Sequence, residues 1–413
     1  MIDPKGNNLI FLLCTPRSGS SLATVMLQNH SKVFATQEMW FLMSLYDLQA
    51  APHRPYGGAG IIKQFFNGVL PSETYEQACR AFALQVYNGL VHSSGAEMVV
   101  DKSPRYYYML EFLDTLFPQS RRIWLVRNPL SVIASYKKVN KHVNDRFSLK
   151  EDLLNPQFNI KMTDITVGLF RYINYFSTDS PYAYRLSYEN MVTNPKEEMQ
   201  KLCEFLGLTY EEGLEKYGDY MDTSKAGLYY SMGVGDPFVG QHTEPHLESI
   251  HSWKEVLDKQ EVEMYCRVLG AKVFHDLGYS EQLAEAEKWT GVRFDMKANM
   301  ELIHSRTKQL VDATGCRWED NYRIKADVKE NAILLQADSD EIQNAIQPQV
   351  LQLQITVRAL ENRLEKSYAN QKRVTDQLDA LKNKINRIKS FIPFGNHLSQ
   401  WASAYLINGG RKK

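Results

Sequence analysis

The sequence predicts an α/β fold: a central parallel sheet flanked by helices, followed by a C-terminal α-helical and coiled-coil region. Three observations predict it. Strand-length runs at residues 9–14, 33–35, 98–100, 121–126 and 182–186 alternate with helical stretches. Several of these runs end in polar residues, at the carboxyl end of the strand, where open α/β sheets place ligands. From Val350 onward the apolar residues recur instead at alternating steps of three and four.

The first run opens the element around which the rest is organised. Residues 9–14 lead into the polar loop Thr15-Pro16-Arg17-Ser18-Gly19-Ser20-Ser21, and residues 22–27 read as a helix leaving that loop. Strand, loop and helix start together cradle a phosphate, because backbone N–H groups and the positive end of the helix macrodipole converge there. Gly19 lets the backbone approach a ligand. Ser18, Ser20 and Ser21 add hydroxyl donors, and Arg17 adds a fixed charge with a planar donor fork. The loop is not a Walker A motif, since no Gly-Lys-Ser/Thr occurs in the chain.

Bulk properties narrow the class. The 413 residues suffice for more than one domain, and 44% hydrophobic with 23% charged residues is the composition of a globular chain. Lys+Arg and Asp+Glu both total 48, so no global field draws in nucleic acid and any basic site is local. Cys14, Cys79, Cys203, Cys266 and Cys316 are scattered and odd in number, which suits a reducing compartment better than a disulfide framework or a zinc site. The first residues do not read as a signal peptide, and no run reaches transmembrane length, so a cytoplasmic location is expected.

Along the chain, Thr36-Gln37-Glu38 closes the second strand and leads into Met39-Trp40-Phe41-Leu42. Glu38 reads either as a first-turn helix residue or as a general base. Residues 51–68, rich in Gly, Pro and aromatics, read as a loop or lid, and 72–91 as a helix capped by Ser72. Strand 98–100 is followed by Asp101-Lys102-Ser103-Pro104-Arg105 and a helix over 106–116. Strand 121–126 passes through Arg127 into a helix with Asn128 as N-cap and Pro129 at its first position. Arg127 and Ser135, two turns on, are placed to converge on one anion. Residues 140–159 are polar and read as a variable segment; helices are expected at 163–177 and at 196–205, the latter ending at Gly207. A glycine-bearing turn at 231–237 precedes His242, His246, His251 and Trp253, with no HExxH-type spacing and hence no expected metal site. A closing helix over 260–277 ends the first domain near residue 280, and residues 281–340 read as a mostly helical connector. Val350, Leu353, Val357, Leu360, Leu364, Ser367, Gln371, Val374, Leu378, Leu381, Ile385 and Ile388 form a heptad seam. It predicts a coiled coil over 341–390 and self-association as a homodimer or small oligomer. The basic and aromatic tail, 391–413, admits a peripheral membrane contact, with a solvated helix end as the plainer reading.

Several of these stretches resemble one family. Pro16-Arg17-Ser18-Gly19-Ser20-Ser21 resembles the 5′-phosphosulfate loop of sulfotransferases that use 3′-phosphoadenosine-5′-phosphosulfate (PAPS) and release PAP. Leu125-Val126-Arg127-Asn128-Pro129, with Ser135 eight residues after the arginine, resembles the strand end that grips the 3′-phosphate. Asp101-Lys102-Ser103-Pro104 is similar to a stretch whose lysine points into the active site. The run 188–208 resembles a recurring structural segment, with Glu189 structural, and the 233–237 turn with His242 and Trp253 resembles a bacterial segment that closes over the cofactor.

The resemblance covers residues 1–280 and implies a P-loop-like, phosphosulfate-binding fold. It places Arg17, Ser18, Gly19, Ser20, Ser21 and Leu22 on the 5′ side and Arg127 and Ser135 on the 3′-phosphate. Arg17 and Lys102 stabilise developing charge, Glu38 or His242 takes the acceptor proton, and no metal is implied. The implied reaction moves a sulfuryl group from PAPS to a hydroxyl of a small molecule or glycan, such as a carbohydrate, lipid or polyketide-type alcohol. Two other readings stand beside it: a nucleotide kinase or NTPase-like phosphotransferase, and a catalytically dead nucleotide-binding scaffold oligomerised by its coiled coil.

Overall fold

The computed structural model describes residues 1–50, 65–66, 70, 72–218, 224–231, 243–325, 364, 367–368 and 371–384. The chain divides into two units, residues 1–352 and 353–413.

In the first unit, β1 (Leu9–Leu13), β2 (Val33–Ala35), β3 (Met98–Ser103), β4 (Arg121–Val126) and β5 (Ala183–Ser187) form one sheet. Its order is β2-β3-β1-β4-β5 and every pairing is parallel. The all-apolar β1 is wholly buried because both faces are covered by helices. Alternate residues serve opposite faces. Phe11, Leu13, Val99 and Trp124 enter one core, while Ile10, Leu12, Val100 and Ile123 enter the other. Each Leu, Ile or Phe so buried contributes about 1.5–3 kcal/mol relative to exposure.

The connections determine where a ligand fits. Helix Ser20–Gln28 carries the chain from β1 to β2 on one side, and after β3 the chain crosses to β4 on the other side of β1. This reversal opens a crevice at the carboxyl ends of β3, β1 and β4. Leu13 is registered with both Ser103 and Trp124, so the residues just past these strands are neighbours.

Several elements depart from the sequence pattern. Strand 98–100 continues through Ser103, because Asp101 and Lys102 pair with Phe11 and Leu12. The helix expected over 106–116 opens as a 3₁₀ turn, Tyr106–Met109, before Leu110–Leu116. The helix expected over 163–177 is split as Ile160–Thr163, a π turn Asp164–Gly168, and Leu169–Tyr175. The polar 140–159 region holds the end of helix Pro129–Val143 and helix Leu149–Leu154, whose Leu149 and Leu153 join the core. The closing helix is interrupted: Lys259–Leu269 and Ala271–Asp276 meet at Gly270 (φ 74, ψ 154). A Cβ there would strike the backbone of Lys297 and Ala298.

Past Ser280, helices Ser280–Thr290 and Met300–Thr314 continue the same unit. Leu283, Ala286, Phe294, Leu310, Cys316 and Ile324 belong to the main core. In the second unit residues 371–384 are helical, and Leu364, Val374, Leu378 and Leu381 of the expected seam are each more than half exposed. The remaining apolar seam positions and the 391–413 tail lie outside the described residues. No described helix is long and apolar enough to cross a membrane, and all five cysteines are free and buried.

Candidate active site

The loop after β1 is turned by two left-handed residues, Arg17 (φ 70) and Gly19 (φ 94). Glycine is required at 19 for a second reason: a Cβ there would run into the ring of Tyr188. The Thr15 and Ser18 hydroxyls bond at 2.8 Å and tie the loop to itself. The helix begins at Ser20, earlier than the pattern suggests, so Ser20 and Ser21 belong to its first turn. The first intrahelical bond runs from Ala23 N–H to the Gly19 carbonyl (3.1 Å), which leaves the amides of Ser20, Ser21 and Leu22 at the positive end of the dipole. The Leu22 side chain itself packs in the core.

The junction after β4 is built by side chains holding main chain. Asn128 caps its helix by accepting from Leu130 N–H (3.0 Å), with Pro129 at the first position. The Asn128 N–H donates to Glu189 (2.9 Å), which also accepts from the Tyr279 hydroxyl (2.6 Å). Arg127 donates from Nη1 to the Arg17 carbonyl and from Nη2 to the Ser249 carbonyl, both at 3.0 Å. Its guanidinium lies 4.0 Å from the centre of the Tyr188 ring, and its buried Nε finds no partner among the described residues. Burial lowers the Arg127 pKa from its ordinary value, opposed by Tyr188 and Glu189. Arg17 donates from Nε to Ser135 Oγ (3.1 Å). The two junctions, expected as separate anion pockets, therefore touch: Arg17 spans from the first to Ser135 on the second. Adjacent, in-register strands dictate this closeness.

On the other flank of β1, Asp101 and Lys102 are successive residues of β3 and so point to opposite faces of the sheet. Lys102 is 1% exposed and pairs with Glu38 at 3.2 Å; its amide donates to Thr36 Oγ1 at 3.4 Å. Asp101 accepts from the hydroxyls of Tyr87 (2.5 Å) and Tyr106 (2.8 Å), and burial pushes its carboxyl up to about 6. Cys14 lies within electrostatic reach of Lys102 and Glu38 and bonds Ser20, so it links the two flanks. Burial pushes its thiol up to about 12, which excludes a thiolate nucleophile near neutral pH.

Beyond this pair, Arg105 grips Asp164 through Nε and Nη2 (3.0–3.2 Å), and Tyr107 donates its hydroxyl to the same carboxylate (2.9 Å). Burial raises Asp164 to about 6. The Arg105 guanidinium lies 5.4 Å from the centre of the Trp40 indole.

Of the sequence-predicted site residues, Arg17, Ser18, Gly19, Ser20, Ser21, Leu22, Arg127 and Ser135 gather at the β1–β4 ends, and Lys102 and Glu38 at the β3 end. His242, the 233–237 turn and residues 51–64 lie outside the described residues. Trp253 is a core residue, 1% exposed and edge-on to Trp289. Sequence reasoning passed over Tyr188, Ser249, Thr36 and Asp164. Tyr188 and Thr36 carried a signal, since each follows a strand end as the other site residues do.

Residues 9–212 match a family model described as Sulfotransferase family. Nodulation protein NoeE of Sinorhizobium fredii is 26% identical over 289 residues, 67% of this chain and 67% of that protein. A putative protein-tyrosine sulfotransferase of Caenorhabditis briggsae is 25% identical over 205 residues, 49% of this chain and 67% of its own length. Among solved structures, the sulfotransferase domain from the curacin biosynthetic pathway is 24% identical with a TM-score of 0.43, covering 65% of this chain and 97% of that one. Mouse sulfotransferase SULT7A1 complexed with PAP is 10% identical with a TM-score of 0.36, covering 69% and 89%. The stretch from β1 through helix Pro195–Leu206, which carries both junctions and Lys102, is thus the part of the chain that matches the sulfotransferase family.

Proposed function

We propose that this protein is a sulfotransferase that moves a sulfuryl group from PAPS to the hydroxyl of an acceptor. The observation that carries the proposal is the Lys102–Glu38 pair at the end of β3, beside a helix-start cradle whose Arg17 reaches Ser135. A donor with phosphate groups on both the 3′ and the 5′ positions of its ribose needs cations and amides at two neighbouring junctions. The transfer itself needs a cation at the breaking bond and a base at the attacking hydroxyl.

In this reading the acceptor oxygen attacks sulfur in line and forms the new S–O bond. The bond from sulfur to the bridging phosphate oxygen breaks, and PAP leaves with that electron pair. The hydroxyl proton passes to Glu38, with His242 as the other candidate base. Lys102 and the first-turn amides of Ser20, Ser21 and Leu22 offset charge growing on the bridging and sulfuryl oxygens. Arg127 and Ser135 hold the 3′-phosphate, and Arg127 also fixes the loop through the Arg17 carbonyl. Positioning and electrostatics do most of the catalysis, as in phosphoryl transfer. The heptad seam is read as the element of self-association.

Calorimetry with PAP, set against ATP–Mg²⁺, tests the assignment. PAP is expected to bind and ATP–Mg²⁺ to bind far more weakly. Arg127→Ala is expected to weaken PAP about 100-fold, on the order of 3 kcal/mol for lost charge-assisted bonds. Tight ATP–Mg²⁺ binding without PAP binding would favour the phosphotransferase reading. PAP binding without transfer of labelled sulfate from PAPS to any acceptor would favour the inactive scaffold.

A further inference from the structure

Trp40 breaks two local rules at once. It occupies the residue before helix Phe41–Ala50, and its carbonyl accepts the first bond from Ser44 N–H (3.1 Å). That position favours Ser, Thr, Asp or Asn in extended backbone. Here an indole stands there at φ 56, a left-handed conformation that is costly for a bulky residue. Core packing does not explain it. Met39 and Phe41, on either side, pack against the core, whereas Trp40 is 41% exposed. Rules broken locally without a packing return are expected at functional sites.

The surroundings define what the indole faces. It stands two residues after Glu38, and the Arg105 guanidinium lies over its ring. Arg105 and Asp164 both interact electrostatically with Glu38, so the three share one corner of the cleft. The four charged side chains there, Lys102, Glu38, Arg105 and Asp164, sum to zero, and the two cations are already paired. Among the described residues of this corner a charged acceptor finds no unmatched partner, whereas an exposed indole offers a broad apolar face.

We propose that Trp40 is the platform of the acceptor subsite and that the acceptor is an uncharged alcohol carried on a ring. This rests on the sulfotransferase reading. The ring lies against the indole with its hydroxyl toward Glu38, and the Arg105–Asp164 pair supplies polar contacts at the rim. The left-handed backbone at residue 40 is strain kept for this purpose.

The full-length protein is assayed with PAPS and four acceptors: a neutral methyl pyranoside, a phenol, a carboxylated pyranoside and a linear polyol. At least one of the two neutral rings is expected to exceed the carboxylated and linear alcohols by tenfold or more in kcat/KM. The pyranoside leading assigns a sugar, and the phenol leading assigns an aromatic alcohol. Trp40→Gly is expected to raise KM for the preferred acceptor at least tenfold, with the Kd for PAP within twofold of the parent. Its Tm should be unchanged or higher, because glycine adopts φ 56 without strain. Trp40→Phe should recover most of the lost affinity. A preference for a charged or linear acceptor overturns the proposal, as does rejection of both neutral rings. So does a Trp40→Gly protein that keeps its acceptor KM, whatever its Tm. Failure of the parent protein to bind PAP would instead overturn the sulfotransferase reading, which keeps the two failures apart.

Discussion

The two flanks of β1 are built in different ways. On the proposed nucleotide side, the groups are main-chain amides and side chains from contiguous strand–loop–helix stretches, residues 15–22 and 127–135. Arg127 and Glu189 act there mostly by holding backbone. On the proposed acceptor side, the groups are side chains gathered from far apart. Arg105 and Asp164 are 59 residues apart in sequence. Asp164 sits on a π turn that is itself held from outside: the Tyr265 hydroxyl donates to the Ile165 carbonyl (3.2 Å), and Arg306 to the Thr166 hydroxyl (3.3 Å). In the proposed reading a recurring chemistry, gripping a phosphorylated nucleotide, falls to a local motif. In the same reading shape recognition of one acceptor falls to tertiary packing, and π turns often mark functional places.

If the flanks are functionally separate, a change at the Lys102–Glu38 pair should damage chemistry and spare nucleotide binding. Glu38→Gln keeps the shape of the side chain and removes the base. A fall in kcat of about 10²- to 10⁴-fold is expected, the usual contribution of general base catalysis, while the Kd for PAP stays within threefold. Full turnover would transfer the role of base to His242. A collapse of PAP affinity would show that the two flanks are one unit, and the comparison would fail.

The same contrast governs what could be read from sequence. The loop after β1 and the Arg127–Asn128–Pro129 junction were legible because consecutive residues do the work and each follows a strand. The contact between Arg17 and Ser135 was not, since it depends on β1 and β4 being in register. Asp164 gave no signal: its role comes from Arg105 and from a π turn that helical periodicity does not announce. Gly270 was read through because Cys266, Leu269 and Val273 keep a helical rhythm across it. The demand for glycine comes from the backbone of residues 297–298, which approaches from a distant part of the chain. In the heptad seam, the three-and-four spacing announces helix, and residues 371–384 are helical. Spacing alone does not name what meets Val374, Leu378 and Leu381.

A smaller effect separates the neighbours Asp101 and Lys102. Asp101 is fully buried under Tyr87 and Tyr106, and its carboxyl titrates near 6 in the folded chain against about 3.9 when unfolded. The folded state therefore keeps a proton that the unfolded state has lost between these values. Stability should fall as pH rises from 4 to 6 and level off above 6. Asp101→Asn removes this contribution. The difference in unfolding free energy between parent and variant, measured in urea at pH 4 and pH 7, should change by about 2–3 kcal/mol. Asp164, raised for the same reason, leaves a residual slope of the same sign in the variant. A pH-independent difference would mean that Asp101 is ionised throughout and that its two tyrosine donors outweigh burial.

The finest test of the comparison is Thr166→Val, which touches neither nucleotide nor acceptor. Thr166 is fully buried, donates to the Met162 carbonyl (2.6 Å) and accepts from Arg306. Valine has nearly the same shape and leaves one Arg306 donor without its partner, while the bonds from Arg306 to the Leu153 and Asp152 carbonyls remain. The loss should be about 1 kcal/mol of stability, or about 1–2 °C in Tm for a unit of this size. Loosening the π turn moves Asp164, and through it Arg105, so KM for the acceptor should rise by roughly two- to fivefold, since about 1 kcal/mol spans that range. The Kd for PAP should not move. Equal effects on acceptor and nucleotide would show that the turn supports the whole cleft. An unchanged acceptor KM despite the lowered Tm would show that Arg306 braces the fold without orienting the acceptor side.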